Sequence, residues 1–223
     1  MPYATYTVRR NLREIRRKLR AQKNPPPARP PDPEAPPEIF RCPWCLKDPL
    51  YIAYHDNEWG RFCNDNQRLF EYLTLEISQA GLSWLTVLKK RENYRELYAG
   101  FDPVKLAAFT EADIDRLTED PRIIRSRRKI KAAVVNAEKF LEVVREHGSF
   151  ADYIISFFPL RKPIVNSVNR LLEVPSSTPL SERIAEDMCR RGFRYIGPVT
   201  CHAFLQAAGF INDHLNRCAF KKV

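Results

Sequence analysis

Two groups of cysteine and histidine residues lie near opposite ends of this sequence. Cys42 and Cys45 open the first group, with His55 thirteen residues after Cys42, and the second group consists of His214 and Cys218, four residues apart. Two thiolates and two imidazoles form a suitable tetrahedral ligand set for zinc. Such a site would tie the ends of the intervening chain together. The spacing leaves open whether Cys45 takes the place of Cys42 or Cys218.

A single carboxylate, Glu76, lies in an otherwise apolar stretch between residues 73 and 85. A glutamate within a helix is usually solvated, but these neighbours predict partial burial, and a buried carboxylate must be paired or functional. Three aromatic residues of the same half of the chain, Trp44, Tyr54 and Trp84, are compatible with a ligand site and equally with a hydrophobic core.

A strongly basic segment follows a predicted tight turn. We expect two short helices joined across residues 119–125. The basic residues within and after this turn are Arg122, Arg125, Arg127, Arg128, Lys129 and Lys131. A turn followed by a helix N-terminus presents backbone N–H groups to a phosphate, as in a helix-hairpin-helix that grips DNA without reading its sequence. By charge alone, a solvated helix face is an equally good interpretation. The turn has Pro121 and Arg122 where such hairpins usually have glycine.

Helical periodicity dominates the chain from residue 41 onward. One apolar stripe runs through Leu69, Phe70, Leu73 and Ile77, and a second runs from Ile130 to Val144. Pro103 suits the first turn of a helix, and Thr110 with Asp113 forms a capping-box pattern. Alternating strand-like runs are few. The fold class predicted from periodicity is therefore all-α.

Composition restricts the class of partner. The formal net charge is +10, which favours a polyanion such as nucleic acid, with an anionic membrane as the second choice. There is neither a signal-like N-terminus nor an apolar run that could span a bilayer, so we expect a cytoplasmic protein, or a nuclear or organellar one in a eukaryote. Six cysteines in 223 residues do not indicate a dense disulfide framework.

Residues 1–40 differ from the rest, which predicts an N-terminal extension followed by one domain over residues 41–223. Arg and Lys crowd positions 9–23, and eight prolines follow between Pro25 and Pro37. The pattern indicates a short basic amphipathic helix and an extended linker. The helix could contact DNA, bind a protein partner or direct the protein to an organelle, and a solvated tail without a specific role is at least as compatible with the pattern.

Several long runs resemble the DNA-3-methyladenine glycosylase I family. They are DPLYIAYHDNEWG at 48–60, LEISQAGLSW at 75–84 and VLKKRENYR at 87–95, and the likeness continues through residues 101–105, 190–193, 206–207 and 212–214. It covers approximately residues 41–220. The resemblance implies a two-lobed helix-hairpin-helix fold and a monomeric enzyme that excises 3-methyladenine from alkylated double-stranded DNA after flipping the damaged nucleotide.

The resemblance also implies roles for particular residues. It places one structural zinc on Cys42, His55, His214 and Cys218, gives Cys45 no such role, and leaves the metal no open position for water. The base pocket maps onto Trp44, Tyr51 and Trp84 as substrate-binding residues and onto Tyr54 and Glu76 as catalytic ones. Because the family lacks the aspartate that many relatives carry after the hairpin, we predict hydrolysis without strand cleavage. A DNA-binding protein that keeps the fold and zinc without turnover is the alternative.

Overall fold

The computed structural model describes residues 39–222. The predictions for the N-terminal extension, a basic helix followed by a proline-rich linker, lie almost entirely outside the described residues. The described part of the chain is mostly helical, as periodicity predicts. No helix in it is both long and apolar enough to cross a bilayer.

Ten α-helices follow one another within residues 39–222. In chain order they are α1 (Pro49–Asn57), α2 (Asn66–Gln79), α3 (Trp84–Leu88), α4 (Arg91–Leu97), α5 (Pro103–Ala107), α6 (Glu111–Glu119), α7 (Arg127–His147), α8 (Phe150–Ser156), α9 (Pro179–Arg190) and α10 (Pro198–Ala207). Two short strands, β1 (Ile164–Val165) and β2 (Ile211–Asn212), pair in parallel with Ile164 opposite Ile211. Strands of two residues are too short for periodicity to reveal.

Helix α2 forms where the first apolar stripe predicts it. Asp65 caps the helix because its carboxylate accepts a hydrogen bond from the Arg68 N–H at 2.8 Å, which satisfies one of the donors left open at a helix start. All four residues of the stripe are buried, with exposures of 2 % or less. The helix therefore lies with its apolar face in the core, and it carries Glu76 into the interior.

The capping and turn predictions between α5 and α7 are confirmed in detail. Pro103 occupies the first turn of α5, and Thr110 and Asp113 make both hydrogen bonds of a capping box at the start of α6. Residues 120–126 then form the turn before α7. The expectation of two short helices is wrong for the second one, because α7 continues for 21 residues through the whole second apolar stripe.

The segment after α1 packs directly against the end of α10. The Gly60 N–H donates to the Gln206 carbonyl at 3.0 Å. Gly209 has φ near 71°, and a Cβ at this position would lie 2.0 Å from the carbonyl carbon of Arg61, so only glycine permits this approach. The two halves of the sequence are thereby held together beside the residues that form the candidate site.

Candidate active site

A cavity of about 270 Å³ opens between α1, α2, α3 and the C-terminal part of the chain. The five residues predicted for a base pocket all line it, namely Trp44, Tyr51, Tyr54, Glu76 and Trp84. Their positions in the sequence span only residues 44–84, but α10 and the segment before α9 close the other side. Of the twelve described residues that line the cavity, five are aromatic, three are aliphatic and four carry a carboxylate or an amide, which is typical of a ligand site.

The aromatic residues of the cavity form two adjoining groups. Trp44 lies 5.0 Å from both Tyr51 and Trp59, measured between ring centroids. Tyr54 and Trp84 are tilted against each other with centroids 5.2 Å apart. These distances fall in the range of favourable aromatic pairs, so the rings support one another and hold their faces in place.

Glu76 is the carboxylate at the back of this cavity. Its residue is 6 % exposed, and neither a hydrogen-bond donor nor a cation contacts it within residues 39–222. Burial raises the pKa of the Glu76 carboxyl to about 8, because the charged form has lost its hydration without gaining a partner. The prediction of partial burial is confirmed, and the missing partner makes Glu76 available to a ligand.

Tyr54 and Trp84 each add a buried hydrogen-bonding group to the cavity: a hydroxyl and an indole N–H. Burial, together with the nearby Glu76 carboxyl, raises the pKa of Tyr54 well above its usual value, so its hydroxyl keeps its proton. The indole Nε1 of Trp84 is buried without a hydrogen-bond partner among the described residues. An unpaired buried donor is uncommon and is often found where a protein receives a ligand or a water molecule.

Seven further residues line the cavity without having been assigned a role from the sequence: Trp59, Gln79, Leu171, Val174, Ala203, Gln206 and Asp213. Gln79 could have been found, because it lies three residues after Glu76 on one helix face. Gln206 and Asp213 belong to runs that carry the family likeness. Leu171 and Val174 gave no sequence signal, since they reach the cavity from a distant segment with only a three-residue 3-10 helix, Leu171–Glu173.

Asp213 is a second buried carboxylate in the wall, and it is held differently from Glu76. Its two oxygens accept hydrogen bonds from the Asn166 and Gln206 side-chain amides, both at 2.7 Å. His202 Nε2 lies 3.8 Å from the same group. Asp213 therefore has partners for both oxygens in the absence of a ligand.

The predicted metal ligands lie next to this cavity and are brought together from both ends of the chain. Ligand atoms of Cys42, His55 and Cys218 all lie within 4.8 Å of one another, and all three residues are buried. His55 Nε2 is 3.5 Å from the Cys218 Sγ. The Nδ1 atom of the same ring contacts an Asp56 carboxylate oxygen at 2.7 Å, which orients the other nitrogen toward the sulfur atoms.

His214 stands beside this three-residue group but is not one of its members. Its ring centroid is 4.8 Å from that of His55. Its Nδ1 contacts the Asn212 side-chain oxygen at 2.9 Å, whereas Nε2 is buried without a partner. The rival cysteine, Cys45, is also outside the group, and its thiol donates to the Cys42 carbonyl oxygen at 3.1 Å.

The donor set of this cluster fits zinc. Both histidine rings have Nδ1 engaged by an oxygen atom and Nε2 turned away from it, which is the usual arrangement when Nε2 binds a metal. Two cysteine thiols complete a set of soft and borderline donors. The unpartnered Nε2 of His214 fits its use as a fourth ligand atom.

The basic residues of the turn between α6 and α7 fall into two classes. Arg122 is held by Asp120 and Glu96, both at 2.8 Å, and Arg127 is held by Glu111 and Asp115. Lys129 donates to the carbonyl oxygens of residues 78 and 80. The two remaining arginines of the predicted set, at positions 125 and 128, are exposed and have no ion-pair partner in the described ranges.

The turn itself is fastened to α4. The Lys90 ammonium group donates to the carbonyl oxygens of Pro121 and Arg122 at 2.8 and 3.2 Å, and the Ile124 N–H donates to the Tyr94 hydroxyl at 3.1 Å. These side-chain contacts fix the backbone of a turn that contains no glycine. The N–H groups at the start of α7 have no intrahelical acceptor, as at any helix start.

Comparison with known proteins agrees with this arrangement. Residues 44–222 match the family described as methyladenine glycosylase. The chain belongs to this family. It is 48 % identical over 178 residues to the DNA-3-methyladenine glycosylase 1 of Escherichia coli (strain K12), covering 80 % of this chain and 95 % of that protein.

A second sequence relative and a solved structure extend the comparison for this member of the methyladenine glycosylase family. The DNA-3-methyladenine glycosylase of Haemophilus influenzae is 48 % identical over 181 residues, which is 81 % of this chain and 97 % of that protein. A solved structure of a 3-methyladenine DNA glycosylase I variant in complex with 3-methyladenine matches with a TM-score of 0.79 and 37 % identity. It covers 82 % of this chain and 98 % of that one. The helical fold and the family resemblance are confirmed together.

Proposed function

We propose that this protein hydrolyses the N-glycosidic bond of 3-methyladenine in alkylated DNA. The observation that carries the proposal is the unpaired, buried Glu76 inside an aromatic cavity. Two relatives that are 48 % identical and one solved structure with the same fold carry the name of this activity. The cavity of about 270 Å³ is of a size suited to one flipped base.

The chemistry of the substrate explains why the cavity has this composition. Methylation at N3 places a positive charge on the adenine of the intact nucleotide. The electron-rich ring faces of Trp44, Tyr51 and Trp84 favour that cation by stacking and cation–π attraction. Glu76 accepts hydrogen bonds from the base edge, and a cation close to its carboxyl favours the charged form over the neutral one. An uncharged adenine would gain neither interaction to the same extent.

The same charge makes the base a good leaving group. The bond between C1′ and N9 breaks with its electron pair going to the base, which leaves as neutral 3-methyladenine. Water adds to C1′ and loses a proton. The protein needs to hold the flipped base in a dry cavity and to supply negative potential near the developing sugar cation. We assign this role to the side chains of Glu76 and Tyr54.

The residues around the cavity and after the turn support hydrolysis without strand cleavage. A lyase step needs an amine nucleophile beside the sugar, and no lysine is among the described residues that line the base cavity. Many related enzymes also place an aspartate shortly after the hairpin, whereas here no carboxylate occurs from Arg127 until Glu138. We therefore assign this protein a monofunctional reaction.

The structure supports two further parts of this proposal. We assign one structural zinc to Cys42, His55, His214 and Cys218, where it would join the N-terminal and C-terminal segments behind Trp44. We also assign a helix-hairpin-helix to α6, the turn and α7, with Arg125 and Arg128 as the cations available for phosphates. The sequence predicted DNA contacts for all five of these basic residues. We revise this for the three that are already engaged within the protein: Arg122 and Arg127 by ion pairs, and Lys129 by carbonyl oxygens.

Release of free 3-methyladenine from methylated duplex DNA tests the activity. We expect release by the purified full chain, with intact DNA strands after the reaction. A folded protein that binds a duplex containing an abasic-site analogue but releases no base would be the non-catalytic DNA-binding alternative, and the proposed activity would be rejected.

Metal analysis tests the zinc assignment independently of activity. We expect one zinc per chain, loss of that zinc in Cys42→Ser, and full retention in Cys45→Ser, which serves as the matched control. His214→Ala should also lose zinc. Retention of one zinc by His214→Ala together with loss in Cys42→Ser would reduce the ligand set to the three residues that lie closest together.

A further inference from the structure

The zinc assignment leaves one buried thiol beside the metal ligands without a function. Cys45 is fully buried, like Cys42, but it is not one of the three residues whose ligand atoms lie closest together. The two cysteines are the first and last residues of the run Cys-Pro-Trp-Cys at positions 42–45. Two residues between two cysteines is the spacing of reactive thiol pairs in many redox proteins. We call these two residues the Cys42–Cys45 pair.

A tight turn brings the two cysteines of the pair together. Residues Pro43–Cys45 form a 3-10 helix, and the Cys45 N–H donates to the Cys42 carbonyl oxygen at 3.2 Å. The Cys45 thiol points back along the chain and contacts the same oxygen at 3.1 Å. Cα atoms three positions apart in such a turn are separated by about 6 Å, which is a separation at which disulfides form.

Cys45 is better placed than Cys218 to react with Cys42. All three are free thiols, but Cys218 is itself a ligand of the assigned zinc. It also belongs to the C-terminal segment, which is fixed by its own backbone contacts, such as the hydrogen bond from the Ala219 N–H to the Phe40 carbonyl oxygen at 3.0 Å. Cys45 has no ligand role and shares a turn with Cys42. A bond between these two requires only a local rearrangement.

The same turn carries part of the wall of the base cavity. Trp44 lies between the two cysteines and lines the cavity. Its ring centroid is 5.1 Å from that of His55, one of the assigned zinc ligands. A covalent change in this turn therefore acts on the metal site and on an aromatic wall of the cavity at once.

We propose that hydrogen peroxide converts the Cys42–Cys45 pair into a reversible disulfide, which removes Cys42 from the zinc and displaces Trp44. A thiolate is the form of cysteine that attacks an oxidant, and a zinc-bound cysteine is a thiolate. This inference rests on the zinc assignment and is independent of base excision. It gives the site a second property, sensitivity to oxidation, in addition to joining the two ends of the domain.

The reaction consumes one peroxide for each disulfide. The Cys42 sulfur attacks one peroxide oxygen, the O–O bond breaks, and hydroxide leaves, so that Cys42 becomes a sulfenic acid. The Cys45 sulfur then attacks the Cys42 sulfur, the S–O bond breaks, and the hydroxyl group leaves as water with the Cys45 proton. Two electrons pass from sulfur to oxygen. A thiol reductant returns both electrons and restores the two thiols.

Burial restricts which oxidant reaches the pair. Neither Cys42 nor Cys45 has exposed surface, so a reagent enters only when the structure opens locally. Hydrogen peroxide is close to water in size and is therefore the oxidant of choice. The more accessible thiols are the half-buried Cys63 and the exposed Cys189. Neither has another cysteine within three positions, so they provide matched controls.

Peptide mapping by mass spectrometry tests the disulfide. The full chain as purified is treated with hydrogen peroxide, its remaining thiols are alkylated, and released zinc is measured with a colorimetric chelator. We expect a disulfide between Cys42 and Cys45, zinc release in proportion to it, and rebinding of one zinc per chain after a thiol reductant and zinc are added. A disulfide from Cys42 to Cys218, zinc release without a disulfide, or survival of both zinc and thiols would overturn the proposal.

Cys45→Ser tests whether the second thiol makes the reaction reversible. This variant should hold zinc before treatment. After treatment its Cys42 sulfenic acid has no thiol in the same turn and is oxidised further to a sulfinic acid, so the zinc recovered after reduction should fall about fivefold. Cys63→Ser and Cys189→Ser should recover zinc as the unsubstituted chain does. Equal recovery in Cys45→Ser and in these two controls would overturn the proposal.

None of these measurements depends on base release, so the two proposals can fail separately. If the chain releases no 3-methyladenine but the disulfide forms with reversible loss of zinc, the proposed activity fails and the redox inference stands. If the chain releases 3-methyladenine but no disulfide forms, the redox inference fails alone. A chain that holds no zinc as purified would overturn both the zinc assignment and the release of zinc by the disulfide.

Discussion

Helix α2 carries two buried glutamates whose surroundings are opposite. Glu71 and Glu76 are five residues apart, with exposures of 7 % and 6 %. Glu71 accepts hydrogen bonds from Arg91 at 2.5 Å and from Arg95 at 3.0 Å. Glu76 has no such partner among residues 39–222, although it is equally buried and belongs to the same helix.

The paired region is a network that joins three parts of the chain. Arg91 bridges Glu71 and Glu58, with the second contact at 2.8 Å. The Tyr72 hydroxyl donates to the other oxygen of Glu58 at 3.1 Å. The network fastens the end of α1 and the middle of α2 to the start of α4, which keeps the walls of the base cavity in fixed positions.

The comparison shows how pairing distinguishes a carboxylate with a structural role from one that we propose to act on a ligand. Burial alone makes both glutamates costly in their charged forms. At Glu71 the cost is offset by two guanidinium groups, so the charge contributes to the fold. At Glu76 no described residue offsets the cost of the buried charge, and a cationic ligand is the partner that would offset this cost.

The largest effect is expected where the paired region is broken. Arg91→Met should lower the free energy of unfolding by about 3 kcal/mol, because buried Glu71 would keep only the partly exposed Arg95 and Glu58 would lose its nearest cation. Urea unfolding measures this change. Arg116→Met is the control, since the Arg116–Asp113 pair is exposed and should contribute less than about 1 kcal/mol. Similar losses in both variants would contradict the structural role of the network.

The next effect concerns Glu76, the carboxylate of α2 without a partner among the described residues. Glu76→Gln should slow single-turnover release of 3-methyladenine about 100-fold, as expected when one preorganised electrostatic group is removed, while stability at neutral pH stays the same or rises. Glu138→Gln, at an exposed position of α7, should leave the rate unchanged. Release at the unsubstituted rate by Glu76→Gln would remove Glu76 from the mechanism.

Per pH unit, a smaller effect should be visible in the pH dependence of stability. Burial raises the Glu76 pKa from 4.5 to about 8, so the folded protein binds this proton more tightly than the unfolded chain does. Stability should therefore fall as pH rises through this window, by at most about 1.4 kcal/mol per pH unit.

Urea unfolding of the unsubstituted protein and of Glu76→Gln at several pH values measures this contribution. The unfolding free energy of the unsubstituted protein minus that of Glu76→Gln should decrease with rising pH from about 4.5 to 8 and remain constant outside that window. A difference that is independent of pH would show that Glu76 is paired after all.

The smallest effect extends the comparison to the cations of the hairpin. Arg125→Ala should reduce the salt slope of DNA binding by about 1 and weaken binding about threefold, because an unpaired cation is available to a phosphate. Arg183→Ala, on the exposed side of α9, removes the same charge elsewhere and should change neither quantity. Equal effects of the two substitutions would mean that net charge, and not the hairpin, determines the affinity.

Much of the fold could be predicted because its signals are local. The stripe of α2, the proline of α5 and the capping box of α6 each depend on residues within about one or two helical turns of one another. The five predicted pocket residues lie within 41 positions and share one cavity. Leu171 and Val174 could not be found in this way, because a 3-10 helix of three residues is too short for periodicity to indicate where it packs.

The sequence by itself determined the helices, the family and the residue types that do chemistry. Only the tertiary structure decided which charged groups are paired: Arg91 reaches Glu71 from 20 positions away, and Cys218 reaches His55 from 163 positions away. The physical reason is that helix formation depends on neighbours along the chain, whereas the electrostatic state of a buried group depends on whichever atoms packing places beside it. Glu71 and Glu76 therefore differ only after the chain has folded.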